Sequence, residues 1–201
     1  MKAGATAIED GWLVGARRMA SPHGDERPSG TVISLVVIHG ISLPPGEFGG
    51  DFVESFFGGC LDVAAHPYFA SIRELRVSPH LYVRRDGAMR QFVAFERRAW
   101  HAGISCWRGR AACNDFSIGI ELEGTDEIPY SDAQYTALER VLPVLGRAWP
   151  AIGAEGIVGH ADIAPGRKSD PGVAFDWPRL AAGLARAGYN FRRSRHEACS
   201  P

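Results

Sequence analysis

Residues 31–39 read TVISLVVIH, a near-continuous run of apolar and β-branched side chains that ends in a histidine. A run of this kind predicts a strand buried on both faces, in a sheet covered by helices. Residues 117–123, SIGIELE, alternate instead. Ile118, Ile120 and Leu122 fall on one side, and Ser117, Gly119, Glu121 and Glu123 on the other. LYVRRDGAMRQFV sets two alternating runs around Asp86-Gly87, which predicts an antiparallel hairpin with a two-residue turn. Tyr135, Leu138, Leu142, Leu145 and Trp149 recur at helical spacing behind Ser131 and Gln134, the pair that makes a capping box. Pro143 lies inside that pattern and predicts a kink or an early end. Shorter helices are expected at Asp51 to Phe57, at His66 to Leu75, and from about Asp176–Pro178 to Ala187, while GIVGH is a short strand ending in His160.

These elements predict a single α/β domain over residues 31–188, with a central mixed sheet flanked by helices. The first 30 residues, mixed polar with Pro22 and Pro28, are expected to wrap the surface as an irregular arm. Residues 189–201, including Arg192, Arg193 and Arg195, are expected to form a disordered tail.

A chain of 201 residues buries a sizeable core without staples. Its net charge of -1 leaves no electrostatic footprint for nucleic acid. No apolar run is long enough for a signal peptide or a membrane span, so the expectation is a soluble, cytoplasmic protein without a membrane partner. Cys60, Cys106, Cys113 and Cys199 contain no CxxC pair and read as unpaired thiols, a Cys106–Cys113 bridge being the alternative.

The candidate chemistry centres on GHADIAPGRKSDPG, residues 159–172. His160 and Asp170 stand ten apart, close enough for a folded loop to bring both onto one ion, and Pro165 and Pro171 restrict that loop. His39 and His160 both end short apolar runs beside a glycine, where neighbouring strands would set them side by side. Two imidazoles and a carboxylate leave zinc an open fourth position, the arrangement of a catalytic site. By itself His39 reads as a hydrogen-bonded structural histidine; the 160–170 loop reverses that reading. Glu121 and Glu123 share a face, so spacing does not choose which of the two carboxylates would stand beside such a metal.

VIHGISLPPGEFGG, HPYFASIRELRVSPH, RAWHAGISCWRGRAACNDFSIGIELEGTD and GHADIAPGRKSDPGVAFDW together resemble the AmpD family of zinc amidases, over about residues 31–178. The resemblance implies the fold shared by T7-lysozyme-like amidases and peptidoglycan recognition proteins, with zinc at the edge of a surface groove. It implies hydrolysis of the bond between (1,6-anhydro-)N-acetylmuramic acid and L-alanine, in cytoplasmic peptidoglycan recycling, with an indirect influence on β-lactamase induction. A monomer acting on an anhydro-muropeptide is expected, and a non-catalytic recognition module is the rival reading. Carried over residue by residue, the metal ligands match His39, His160 and Asp170, the base matches Glu121, and Lys168 matches the lysine that holds the oxyanion. Arg76 matches an arginine for a stem-peptide carboxylate, and Trp100 and His101 lie in a motif near the groove. Glu123 is then expected to be a solvated strand end, and Arg167 to point outward. Two positions depart from the family pattern: Gly40, where Asn is common, and Ala112, where some relatives carry Arg. Both departures imply altered substrate affinity, Gly40 through a missing hydrogen bond unless a positive φ requires the glycine.

Overall fold

The apolar run after Thr31 forms β2 (Leu35–Ile41), whose first five residues are buried, at the heart of a six-stranded sheet. The structure is a computed structural model and describes residues 7–193. The other strands are β1 (Arg17–Arg18), β3 (Leu81–Val83), β4 (Met89–Gln91), β5 (Ser117–Glu123) and β6 (Ile157–Gly159). Their order across the sheet is β6-β2-β5-β3-β4-β1. All neighbours are parallel except β3 and β4, so the sheet is mixed, as expected.

One face of β2 and β5 carries Val36, Ile38, Ile118, Ile120 and Leu122. They pack on Leu138, Val141, Leu142 and Leu145 of α2 (Asp132–Ala148) and on Leu180 and Leu184 of α4 (Trp177–Arg186). On the opposite face Leu35, Val37 and Val158 meet Ala102, Trp107, Phe116 and Ile163. Ile163 belongs to α3 (His160–Ile163), one turn of helix directly after β6. A third cluster joins Tyr82 of β3 to Phe57 of α1 (Phe52–Phe57), Phe69 and Phe92.

Several local expectations need correction. The hairpin turn holds three residues, Arg85 to Gly87: Ala88 and Arg84 still pair, Gly87 N–H donates to Arg84 O, and Gly87 has φ +83. That is a turn closed by a left-handed glycine, a geometry that also matches strand twist. Pro143 does not end α2, whose Ser131–Gln134 capping box forms and whose apolar stripe packs along its length; burial outweighs one missing donor. At His66 to Leu75 only a 3-10 segment, Pro67–Ser71, appears, anchored by buried Phe69. Arg17–Arg18 adds an edge strand to the main sheet and Gly24–Asp25 pairs with Arg98–Ala99, so residues 17–25 are tied into the fold rather than laid on it. The tail is packed as far as Arg193: Phe191 is buried, and Arg193 lies over the Trp177 ring and pairs with Asp162. Arg195 lies outside the described residues.

Cys60 and Cys113 are free thiols, as expected, and no Cys106–Cys113 bridge forms. Cys106 is disulfide-bonded, against that expectation, and Cys199 lies outside the described residues. Among the described residues no helix is long and apolar enough to cross a membrane.

Candidate active site

In a parallel sheet, residues in register point to the same face. Glu121 of β5 is in register with His39 of β2, and Gly159 of β6 with Ile38, so His160, one residue further, falls beside His39. Three side chains thus converge at the carboxyl ends of adjacent strands, where open α/β sheets place their ligands. Asp170 reaches the same point from the following loop, whose return is fixed by Ala161 N–H donating to Asp170 O at 2.9 Å. That loop is turned rather than extended, since Arg167 and Lys168 N–H both donate to Ala164 O.

The Nδ1 atoms of His39 and His160 lie 2.9 Å apart, and Asp170 Oδ2 is 3.2 Å from the first and 3.0 Å from the second. Donor atoms around a tetrahedral zinc with bonds of about 2.0–2.1 Å sit about 3.3 Å from one another. The observed triangle is close to that size, and the donor set, two imidazoles and one carboxylate, suits such an ion. These three residues could hold a metal, the group the sequence picked out.

The far side of each imidazole is also held. His160 Nε2 lies 3.1 Å from Ala102 O, and His39 Nε2 lies 2.9 Å from His101 Nδ1. His101 Nε2 in turn lies 3.1 Å from Ser117 Oγ. If both ligands use Nδ1, each Nε2–H donates outward, and His101 must accept at Nδ1 and donate from Nε2 to the serine. His101 can lie there only because residue 119 is glycine: a Cβ on Gly119 would stand 2.4 Å from the His101 ring. Asn114 Oδ1 accepts from the N–H groups of His101 and Ala102, fixing the loop that carries them.

Burial shapes the charges here. It pushes His39 down to about 4, with Asp170 opposing, and drives His101 well below the usual imidazole range. Glu121 moves well above the carboxylate range, through burial first and the Asp170 charge second, with Lys168 acting against both. Burial also works to raise Asp170, but its hydrogen bonds to His160 and His39 win and hold it low. Glu121 Oε1 stands 4.0 Å from His39 Nδ1, while Oε2 is buried with no hydrogen-bond partner among the described residues.

Glu121, His160, Trp100, His101 and Lys168 line one cavity of about 340 Å³, walled on another side by Ser42 and Leu43. A larger hollow, about 680 Å³, lies around Trp107, Arg110 and Phe116 and shares no lining residue with it. Arg76 does not enter the cavity; it lines an adjacent cleft of about 170 Å³ and donates to the carbonyls of Arg73 and Leu75. The Trp100 indole donates to Asp25 Oδ1 at 3.0 Å.

Two expectations fail for identifiable reasons, and a third holds only in part. Glu123 is 3% exposed, not solvated, and both its oxygens accept backbone N–H groups. Arg167 is exposed, as expected, yet its guanidinium donates to Ala102 O and Ile104 O, which ties the 160–170 loop to the loop of His101. Gly40 marks neither a vacant contact nor a positive φ: a Cβ there would stand 2.3 Å from the Tyr130 hydroxyl, which donates to Pro171 O at 3.0 Å. Ala112 has φ +58 and lies off the cavity. Asn114, Ser117, Gly119 and Arg167 were not singled out as site residues. Only Ser117 and Gly119 carried a signal, their place on the Glu121 face of β5.

Residues 29–173 match the family model described as N-acetylmuramoyl-L-alanine amidase. The chain belongs to this family. It is 56% identical over 181 residues to the 1,6-anhydro-N-acetylmuramyl-L-alanine amidase AmpD of Salmonella typhimurium (strain SL1344), covering 90% of this chain and 96% of that protein. To AmpD of Escherichia coli (strain K12) it is 58% identical, over 86% of this chain and 94% of the relative. Among solved structures, a crystal structure of a selenomethionine AmpD derivative superposes with a TM-score of 0.86 at 55% identity, covering 88% of this chain and 98% of the other. The mixed sheet flanked by helices is therefore the fold of AmpD. The AmiD amidase of E. coli, solved with the substrate anhydro-N-acetylmuramic acid-L-Ala-D-γ-Glu-L-Lys, gives 0.57 at 29% identity, over 89% of this chain and 65% of that one.

Proposed function

We propose that this chain is a zinc-dependent amidase that hydrolyses the amide between the lactyl group of 1,6-anhydro-N-acetylmuramic acid and L-alanine, releasing the stem peptide. The observation that carries the reading is Glu121, in register with His39 at the wall of the cavity, one oxygen 4.0 Å from a ligand nitrogen and the other buried without a partner. A buried polar atom left unpaired costs on the order of 1–3 kcal/mol, more for a charged group, which a reacting water or amine would offset. A module that only bound muropeptides would have no use for it.

His39, His160 and Asp170 would hold the zinc, which when bound supplies a Lewis acid for the scissile carbonyl and lowers the pKa of water. Glu121 takes the proton from the attacking water and returns it to the leaving amine of L-alanine. Lys168, on the same cavity wall, stabilises the oxyanion of the tetrahedral intermediate. His101 and Ser117 keep the His39 imidazole in one orientation and tautomer. Trp100 contributes apolar wall beside the sugar or peptide, and Arg76, in the adjoining cleft, is placed to pair with a stem-peptide carboxylate once it leaves its backbone partners. The relatives' names support the anhydro-sugar substrate. In this reading the reaction belongs to cytoplasmic peptidoglycan recycling, with an indirect effect on β-lactamase induction, and is carried out by a monomer whose catalytic unit is residues 31–188.

The test is incubation with anhydro-muropeptide, with and without a chelator, and mass spectrometry of the products. Anhydro-muramyl sugar plus a peptide beginning with free L-alanine, formed only without chelator and restored by zinc, is the expected result. Cleavage at another bond, or undiminished cleavage in the chelated protein, overturns the reading.

A further inference from the structure

Two residues beyond Glu121, on the same face of the same strand, Glu123 accepts Gly49 N–H on Oε1 at 2.5 Å and Arg85 N–H on Oε2 at 2.9 Å. Its two oxygens therefore hold two different segments. Gly49 closes the loop that runs from Ser42, and Arg85 opens the turn between β3 and β4. The hairpin side reinforces the link, because Arg84 donates to Gly49 O at 2.6 Å and pairs with Asp51 and Glu54. At its other end the loop leaves β2, where Gly124 N–H donates to Ile41 O.

Between these ends lie Ser42, Leu43 and Pro45, which wall the cavity that also presents Glu121, His160 and Lys168. Within the loop the polar contacts are local, Gly46 N–H to Ser42 Oγ and Glu47 N–H to Pro44 O. Nothing in these local contacts sets the distance from wall to metal ligands. Leu43 is buried in the cluster of Phe56, Phe57 and Tyr82, which anchors one point of the wall, while the clamp at Gly49 is the polar tie at the loop's far end, with Glu123 its buried, two-sided centre.

We infer that Glu123 is a positioning residue that fixes the substrate-facing wall of the cavity, and so governs how tightly the muropeptide is held rather than how fast the bond is cleaved. The inference rests on the proposed amidase activity. One strand then divides the labour by position: Glu121 faces the reacting atoms, and Glu123 holds the wall against which the substrate must fit.

The chemistry of the clamp makes the substitution specific. A carboxylate accepts at both oxygens, whereas an amide accepts at one and sets an NH2 against the other donor. Glu123→Gln keeps shape and volume but loses either the Gly49 or the Arg85 bond. Loss of one charge-assisted hydrogen bond, partly recovered by loop relaxation, predicts a KM raised about tenfold with kcat within about twofold of the parent.

The experiment measures kcat, KM and zinc content for the parent, Glu123→Gln, and Arg84→Lys, which loosens the same clamp from the hairpin side and serves if the first variant is poorly folded. Amide hydrogen exchange, followed without substrate, adds a readout independent of turnover. The inference predicts faster exchange for residues 42–50 with β2 unchanged, a KM effect in both variants, and full zinc retention. A fall in kcat at constant KM, or unchanged exchange and kinetics in well-folded Glu123→Gln, overturns it. If the parent itself does not cleave anhydro-muropeptide, the amidase reading fails instead, while the exchange result still decides whether Glu123 holds the loop.

Discussion

On the face of β2 and β5 that meets α2 and α4, Val36, Ile38, Ile118, Ile120 and Leu122 are fully buried in one apolar cluster. On the other face the same two strands present His39, Ser117, Gly119, Glu121 and Glu123. The backbone and register are shared, yet the two faces depend on their residues differently. Each side chain on the helix-covered face contributes roughly 1.5–3 kcal/mol of burial, and a neighbour can shift to fill a lost methyl group. On the site face each residue meets specific neighbours: His101 for Ser117 and Gly119, His39 for Glu121, and two backbone donors for Glu123. The difference teaches that stability in this sheet is distributed, whereas function is assigned position by position.

The largest effect that would test this contrast is at Glu121. On the proposed mechanism Glu121→Gln lowers kcat by about 10²–10⁴-fold, the range for removing a general base. Zinc content should not change, and the melting temperature should hold or rise, because a neutral amide replaces a carboxyl group whose ionised form burial and the Asp170 charge disfavour. Stopped assays with calorimetry check both; a drop in stability matching the drop in activity would place Glu121 among the structural residues.

Gly119→Ala tests whether clearance, rather than chemistry, is what residue 119 supplies. The added methyl meets the His101 ring, an overpacking that costs about 1–3 kcal/mol. By displacing the residue that holds His39 Nε2, it should also weaken zinc binding by about 10–100-fold. Chemical denaturation and competitive zinc titration read the two effects separately.

Gly40→Asn extends the test to the end of β2. Tyr130 is buried, with its hydroxyl bonded to Pro171 O, so a side chain at 40 must displace it and should cost about 1–3 kcal/mol without lowering KM. Thermal melts with steady-state kinetics decide the matter. A lower KM at unchanged stability would mean that Tyr130 gives way readily and the asparagine reaches substrate.

The smallest effect should come from the helix-covered face. Ile120→Val removes one methylene from a fully buried site and costs about 0.5–1.5 kcal/mol, with kcat, KM and zinc affinity unaltered. A loss of activity beyond the loss of folded protein would show that the two faces are coupled more tightly than their separate contacts imply.

Much of this was legible in the chain. The run at 31–39, the alternation at 117–123 and the helical spacing after Ser131 named β2, β5 and α2, because period and length of apolar runs follow directly from backbone geometry. His39, His160 and Asp170 were picked out because strand ends and a proline-bounded loop leave few places for them to point.

What the sequence could not supply was anything that depends on a partner distant in the chain. Glu121 and Glu123 are indistinguishable by alternation; they separate only because one faces His39 and the other meets the N–H groups of Gly49 and Arg85. Gly40 looked like a missing contact until Tyr130, ninety residues later, was seen to fill the space. Arg167 was expected to point outward and is exposed, but its bonds to the carbonyls of Ala102 and Ile104 depend on where that distant loop lies. Local sequence determines which backbone forms and which face a residue takes, since those are set within a few bonds. Tertiary structure decides what stands opposite that face, and it is that neighbour which makes one carboxylate a candidate base and the next one an anchor.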